Sequence, residues 1–268
     1  MASGDDAPVP SHALRGTLLA ERYELEHRVG DGAMGVVFRA RHVKLGRKFA
    51  VKILHPRLLR DHKVAQRFER EAEAASRMRH PNVVGVIDLG ETPDGLRYMV
   101  MDFVEGPSLA ALIVRDAPMA APRVVRLVGQ LLDGLAHAHD HGLIHRDLKP
   151  ENVMVQCDAH GGELPRIVDF GVAILRDEVG AEAARFTTDG LVLGTPPYMA
   201  PELAVADPID HRIDLFALGV VVYELLSGAL PFDGSGVEVA RANVVRDPPP
   251  IAERVPDLVV DPLLEAFA

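Results

Sequence analysis

The prevailing period of the apolar pattern shifts near Gly106. Before that point the apolar residues fall mostly in short runs of strand length; beyond it they recur mostly at the three- and four-residue spacing of helices. This change predicts a small strand-rich body followed by a larger, mostly helical one. A length of 268 residues suits one large domain or two such lobes.

The first 22 residues are polar and small and read as a flexible arm. Strands are then expected over Tyr23–Val29 and Gly35–Arg41, joined by the glycine-rich turn Gly30-Asp31-Gly32-Ala33-Met34, with a third over Lys48–Leu54. A helix over Val64–Met78 turns Val64, Phe68, Glu71, Ala75 and Met78 inward, and strands follow near Val83–Leu89 and Arg97–Asp102. The expected division is therefore an arm at 1–22, a strand-rich lobe at 23–102 and a helical lobe at 103–268. In the helical part, Pro122 opens a long helix whose inward positions include Val124, Val128, Leu131, Leu135 and Ala138. Two short strands are expected to flank Asp158–Leu164, residues 169–210 lack clear periodicity, and Ile213–Ser227 reads as an apolar helix.

Two charges stand where charges are costly. Lys52 lies inside Phe49-Ala50-Val51-Lys52-Ile53-Leu54, and Glu71 lies in the inward stripe of the next helix. A buried unpaired charge costs several kcal/mol, so either the two pair with each other or each snorkels to solvent from an edge.

Composition limits the function classes. A net charge of −10 argues against nucleic acid or an anionic membrane as the main partner. The sole cysteine, Cys157, excludes an intrachain disulfide and a cysteine-built zinc site, which suits a reducing, cytoplasmic setting. Met1–Pro10 lacks a signal-peptide pattern. The longest apolar stretch, Leu215–Leu226, contains Glu224 and falls short of the ~20 residues of a membrane span, so it reads as a buried helix. A longer parent protein is free to carry an anchor elsewhere.

The chemistry-bearing residues are concentrated in two segments. His145-Arg146-Asp147-Leu148-Lys149-Pro150-Glu151-Asn152 brings a carboxylate, a lysine and a carboxamide together in a loop after a long helix. The carboxylate can orient a hydroxyl or accept its proton, the lysine can neutralise a transferring phosphoryl group, and the amide oxygen can ligate magnesium. Ile167-Val168-Asp169-Phe170-Gly171 then places a second carboxylate at a strand end. The turn Gly30-x-Gly32-x-x-Gly35-x-Val37 either lets backbone N–H groups approach phosphates or is only a hairpin turn. It is followed by a strand, which argues against a dinucleotide-binding βαβ unit.

Taken together, these segments resemble those of Hanks-type (eukaryotic-like) protein serine/threonine kinase catalytic domains of the bacterial kind, over about residues 23–250. The resemblance rests on Gly30, Gly32 and Gly35, on Ala50-Val51-Lys52, on Glu71, on Asp147 and Asn152, on Asp169-Phe170-Gly171, and on Ala200-Pro201-Glu202. It implies an α+β, bilobal kinase fold: a small antiparallel sheet plus one helix, then a larger mostly helical lobe. It implies transfer of the γ-phosphoryl group of ATP, with Mg2+ or in its place Mn2+, to Ser/Thr hydroxyls of proteins. Lys52, held by Glu71, then binds phosphates; Asp147 is the base; Asn152 and Asp169 hold the metal; Lys149 steadies the γ-phosphate; Thr195 contacts Asp147 and Lys149. Val37 and Ala50 roof the adenine and Met154 floors it. Met101 is the gatekeeper, and the backbone of Asp102 and Val104 bonds the base. Asp214 braces the catalytic loop, with the alternative of a favourable charge at a helix N-terminus. His145 and Phe170 are expected to pack in the hydrophobic column that runs between lobes.

The resemblance further implies autophosphorylation on Thr187 or Thr188, with Arg146 receiving the phosphate, and a dimer for reaction in trans. A pseudokinase would lack one of Lys52, Asp147, Asn152 or Asp169, and all four are present. A small-molecule phosphotransferase of related fold would lack Ala200-Pro201-Glu202. His137 and His141 sit one helical turn apart, with no third metal ligand following in pattern. The family's late arginine, partner of the glutamate that is Glu202 here, has no counterpart among Arg212, Arg241, Arg246 and Arg254. The sequence ends in what resembles the third-from-last helix, Pro262–Ala268, so C-terminal helices are expected to be missing.

Overall fold

Strand β2 (Tyr23–Gly32) runs antiparallel to β3 (Gly35–His42), and β3 to β4 (Lys48–Leu54). The computed structural model describes residues 14–32, 35–55, 72–92, 95–170, 195–205, 207–256 and 258–268. The chain divides into two units. The first holds the described residues up to Arg79 together with Val84–Phe103; the second holds His80–Val83 and Val104–Ala268.

In the first unit, β1 (Leu18–Leu19), β5 (Val86–Glu91) and β6 (Arg97–Asp102) complete a six-stranded sheet of order β1-β2-β3-β4-β6-β5. Strand side chains alternate between faces, and directly opposed residues share a face. Val36, Phe38, Ala40, Phe49, Val51, Ile53, Tyr98 and Val100 all go to one side and form a buried core with Tyr23 and Leu25. Although β5 lies far from β2 in the strand order, Asp88 of β5 accepts hydrogen bonds from Arg22 (2.8 Å) and Tyr23 (3.2 Å). The sheet is thus curled around its core, as strand twist favours.

The structure corrects the arm. Residues 14–22, expected to be flexible, are fastened to the sheet: Leu18–Leu19 form β1 and pair with β2, Leu19 is buried, and Leu14 packs on the core. Leucines spaced among polar residues were too sparse to read as a strand. Residues 1–13 of the expected arm lie outside the described residues. The strand expected at Val83–Leu89 begins at Val86, because Val83 bridges to Ile167 in the second unit. Of the helix expected over Val64–Met78, residues 72–77 are helical, with Ala75 and Met78 buried as expected; the rest lies outside the described residues.

The second unit is built on α2 (Ala121–Asp140) and α4 (Arg212–Ser227). Their companions are α1 (Leu109–Asp116), α3 (Pro201–Ala204), α5 (Gly236–Val245), α6 (Ile251–Arg254) and α7 (Pro262–Phe267). Helix α2 buries Val124, Leu127, Val128, Leu131, Leu135 and Ala138, one stripe at helical spacing. Helix α4 is buried on nearly every side and ends at Gly228, whose φ of 74° is the left-handed cap that glycine takes without strain. Strands β7 (Val153–Cys157) and β8 (Glu163–Ile167) form a hairpin, so the turn expected over Asp158–Leu164 is shorter than predicted.

Arg123 at the start of α2 ties this hairpin to α1, donating to Glu163 (2.6 Å) and to Asp116 (2.7 Å). Within 169–210, which lacked periodicity, lie a 3-10 turn at Pro196–Tyr198 and the short helix α3, both punctuated by prolines. Glu202 forms no ion pair with any described residue, while Arg254 binds Asp233 (2.6 Å) and Arg212 binds Asp210 (2.9 Å).

Candidate active site

In the first unit the alternation of β4 separates two groups of side chains. Phe49, Val51 and Ile53 enter the core, which leaves Ala50 and Lys52 on the opposite face. Lys52 stands opposite Val37 on β3 and opposite Met99 on β6, and Ala50 stands opposite Met101. The register therefore gathers Val37, Ala50, Lys52 and Met101 on one face of the sheet. Lys52 is only 6% exposed, far below what a lysine at an open edge would show. Glu71, its expected partner, lies outside the described residues.

The three glycines of the hairpin differ. A Cβ at Gly35 would fall on the carbonyl oxygen of Ile53, so the packing of β3 on β4 requires glycine there. A Cβ at Gly30 would meet Val37 only at an ordinary 3.7 Å, and one at Gly32 would meet the carbonyl oxygen of Gly35 only at 4.0 Å. The fold alone does not demand those two. Asp102 closes β6 and its carboxylate accepts from Arg47 at 2.5 Å, while Val104, the first residues beyond the division between units, is buried.

In the second unit the loop after α2 is fastened from below by Asp214 of α4, which is 1% exposed. Its Oδ2 accepts the backbone N–H of His145 and its Oδ1 that of Arg146, each at 2.8 Å, and His139 Nε2 lies 2.8 Å from Oδ2. The expected bracing role is thus a direct one. Arg146 and Asp169 both adopt left-handed backbone, with φ of 64° and 68°, which costs non-glycine residues of order 1–3 kcal/mol and is retained where surroundings over-determine it. His145 accepts the N–H of Asp147 at Nδ1 (3.3 Å) and meets the carbonyl of Val168 through Nε2 (2.9 Å), which selects the tautomer protonated at Nε2. Its ring packs edge-on against Phe170 at 4.8 Å, both residues being buried.

Above this support four expected residues converge. Lys149 Nζ donates to Thr195 Oγ1 (2.7 Å) and lies 3.2 Å from Asp147 Oδ2. Thr195 Oγ1 donates to Asp147 Oδ1 (3.2 Å). Asn152 Nδ2 donates to the carbonyl of Asp147 (2.8 Å), which commits the nitrogen and leaves Oδ1 as the acceptor. The backbone N–H of Val168 bonds the carbonyl of Asn152 (2.9 Å), so Asp169 follows one residue beyond Asn152's partner. Met154 projects from β7 on the side opposite the buried Val153 and Val155.

Two polar contacts were missed at the sequence level. Tyr198 donates to Glu224 Oε2 at 2.6 Å. Burial pushes the Tyr198 phenol well above its usual range, the neighbouring carboxylate adding to this, and burial likewise raises Glu224. The signal was visible: Glu224 interrupts an apolar helix much as Lys52 interrupts an apolar strand. Asn243 of α5 was also missed; it donates to the carbonyls of Met199 (3.0 Å), Pro197 (3.2 Å) and Pro196 (3.3 Å). His137 stacks on His80 with ring centres 5.2 Å apart and lies 4.5 Å from His141, and among the described residues no group of three or more His, Cys, Asp or Glu is placed to hold a metal ion. Thr187, Thr188 and Gly171 lie outside the described residues. No described helix is long and apolar enough to cross a membrane.

Comparison with known proteins gives a consistent family. A model of the protein kinase domain matches residues 23–256. The serine/threonine-protein kinase pkn3 of Myxococcus xanthus is 42% identical over 251 residues, which are 93% of this chain and 46% of that protein. The serine/threonine-protein kinase PknB of Mycolicibacterium smegmatis is 39% identical over 252 residues, 92% of this chain and 39% of that protein. The chain therefore spans less than half the length of these curated relatives. The crystal structure of the Mycobacterium tuberculosis PknI kinase domain matches with a TM-score of 0.70 at 30% identity, covering 95% of this chain and 90% of that one.

Proposed function

The chain belongs to the protein kinase family, and from that premise we propose that it transfers the γ-phosphoryl group of ATP to serine or threonine hydroxyls of protein substrates. The observation that carries the reading is the convergence of Lys149 and Thr195 on the two carboxylate oxygens of Asp147. A carboxylate so held is aimed and kept from rotating. Its task is to orient the acceptor hydroxyl and take its proton as the oxygen attacks the γ-phosphorus and the bond to the bridging oxygen of ADP breaks. Lys149, when ATP is present, offsets charge on the transferring group, and Thr195 fixes where Lys149 starts from.

The face bearing Val37, Ala50, Lys52 and Met101 suits a nucleotide: apolar groups for the base, and a cation for the α- and β-phosphates. Gly30 and Gly32, which the fold does not require, suit a close approach of phosphate to backbone N–H groups. Asp102 and Val104 supply backbone groups to the base. Asn152 Oδ1 and the Asp169 carboxylate form a hard oxygen donor set, which fits Mg2+ and tolerates Mn2+. When bound there, the ion supplies charge neutralisation to the phosphates.

Activation by autophosphorylation at Thr187 or Thr188, in a transient dimer, accords with the reading, and the guanidinium of Arg146 suits a phosphate bidentately. The test is incubation of the chain with labelled ATP, Mg2+ and a basic test protein, followed by phosphoamino-acid analysis. Label on serine or threonine is expected. Label on tyrosine alone, or none on protein while phosphate is released, overturns the reading.

A further inference from the structure

Asn243 is a polar residue in a place that disfavours one. It lies on α5 among Val239, Ala240 and Ala242, all buried, and is itself 8% exposed. Asparagine is a mediocre helix former, and a buried amide is costly unless its hydrogen-bonding groups are satisfied. Here the amide Nδ2 reaches the three carbonyls of Pro196, Pro197 and Met199 between 3.0 and 3.3 Å.

Those carbonyls belong to one 3-10 turn, Pro196–Tyr198, and the residue after it. Two of its residues are prolines, which offer no N–H, so the turn has little capacity to hold itself: its own bonds are Tyr198 N–H to Thr195 (3.1 Å) and Met199 N–H to Pro196 (3.2 Å). External contacts make up the deficit. Tyr198 is fastened to Glu224 of α4 at 2.6 Å. On the other side Gly236, two helical turns before Asn243 on the same face of α5, abuts the ring of Pro196 so closely that a Cβ would lie 2.9 Å from Cγ. The residue immediately before the turn is Thr195, whose hydroxyl lies between Lys149 (2.7 Å) and Asp147 (3.2 Å).

We propose that Asn243 is a positioning residue for the phosphoacceptor: by holding the 196–199 carbonyls it sets the backbone that carries Thr195, and so the aim of Asp147 at the substrate hydroxyl. The inference rests on the kinase reading and adds a selective consequence. Asn243 acts chiefly on the acceptor side of the reaction, and reaches the nucleotide only through the contact of Thr195 with Lys149. A residue that only stabilised the second unit would affect both substrates alike.

Three variants of the chain test this. Asn243→Leu keeps the branched outline and removes both N–H donors, taking the side-chain partner from three carbonyls, of which Pro196 keeps the N–H of Met199; Asn243→Ala replaces it if the leucine variant does not fold. Asn243→His retains one N–H at similar reach. For the donor-less variant kcat/KM for a protein acceptor should fall about tenfold to a hundredfold while KM for ATP changes by less than about twofold. The histidine variant should recover most of the loss. Equal losses on both substrates, no loss, or no recovery with histidine overturns the proposal. A second readout needs no catalysis and so separates this inference from the kinase reading: amide hydrogen exchange at Tyr198 and Met199 should quicken about tenfold in the donor-less variant relative to amides of α4. Unchanged exchange there refutes the clamp even if the chain proves to be an active kinase.

Discussion

The carboxylate of Asp214 accepts the backbone N–H of Arg146 at 2.8 Å, across 68 residues of sequence. The same carboxylate holds the N–H of His145 and meets His139, so one buried side chain serves three partners. Arg146 needs this. Its φ of 64° is unfavourable for a residue with a side chain, and the bond from α4 helps keep it there. The left-handed step at Arg146 in turn leads the chain to Asp147, where Lys149 and Thr195 meet.

Replacing Asp214 by asparagine should therefore be severe despite the near-identical shape. The amide offers one oxygen to partners that used two and turns its NH2 toward backbone donors. Leaving buried donors unsatisfied costs about 1–3 kcal/mol. Urea unfolding should show the midpoint shift, and phosphoryl transfer should fall with it. A loss below about 1 kcal/mol would mean that the loop holds its own conformation.

Lys52→Met should separate fold from chemistry. Methionine fills the space of the lysine stem on the face shared with Val37, Ala50 and Met101, so the melting temperature should stay within a few degrees, roughly. Transfer should drop at least about a hundredfold, because the cation acts on phosphates. Strong residual autophosphorylation would show that another group supplies the charge.

Asp147→Asn should lower kcat by about two to four orders of magnitude while leaving ATP affinity within about threefold. The carboxylate is needed by the hydroxyl and not by the nucleotide. A collapse in ATP binding, measured by calorimetry, would reassign Asp147 to a structural role.

Thr187 or Thr188 should carry phosphate after incubation with ATP, and mass spectrometry of the activated chain locates it. Replacing both by alanine should slow transfer to an added protein, because the loop then lacks the anion that pairs with Arg146. Full activity with neither threonine phosphorylated would remove this route of control.

How much of this was legible in the sequence depends on the range of the interaction. The change from strand to helix period, and the clustering of Asp147, Lys149 and Asn152, are local and were read from spacing and residue type. Val37, Ala50, Lys52 and Met101 were assigned by resemblance, and the strand register later placed them on one face, a relation that pairing creates and a linear pattern does not contain. The joining of residues 14–22 to the sheet escaped notice because two paired residues in β1 carry too short an alternation to detect. Asn243 escaped for a different reason: its partners are backbone carbonyls some 44–47 residues away, and carbonyls have no sequence signature. Glu224 was seen as an interruption in an apolar run, but its partner Tyr198 sits in a segment with no periodicity to place it.

That interruption supplies a pH test. Burial raises the Glu224 carboxyl above its ordinary value of 4.5, outweighing the lowering effect of the bond from Tyr198, and the nearby Glu151 adds to the rise. The folded state therefore holds the Glu224 proton more tightly than the unfolded chain does. A group of this kind contributes stability that is fully present below pH 4.5, its unfolded value, and is lost as pH climbs through the raised folded value. Tyr198, raised further still, keeps its proton and remains a donor throughout this window. Glu224→Gln imitates the protonated carboxyl, retains an oxygen for Tyr198, and cannot ionise, so it escapes the loss. The melting temperature of the variant minus that of the parent should thus grow as pH is taken from about 4 to about 8, with the change concentrated above the ordinary carboxylate range. Parallel melting curves at each pH, measured by calorimetry, decide the matter: a difference that stays flat would mean that Glu224 titrates as an exposed glutamate does, and that the contact with Tyr198 is open to water.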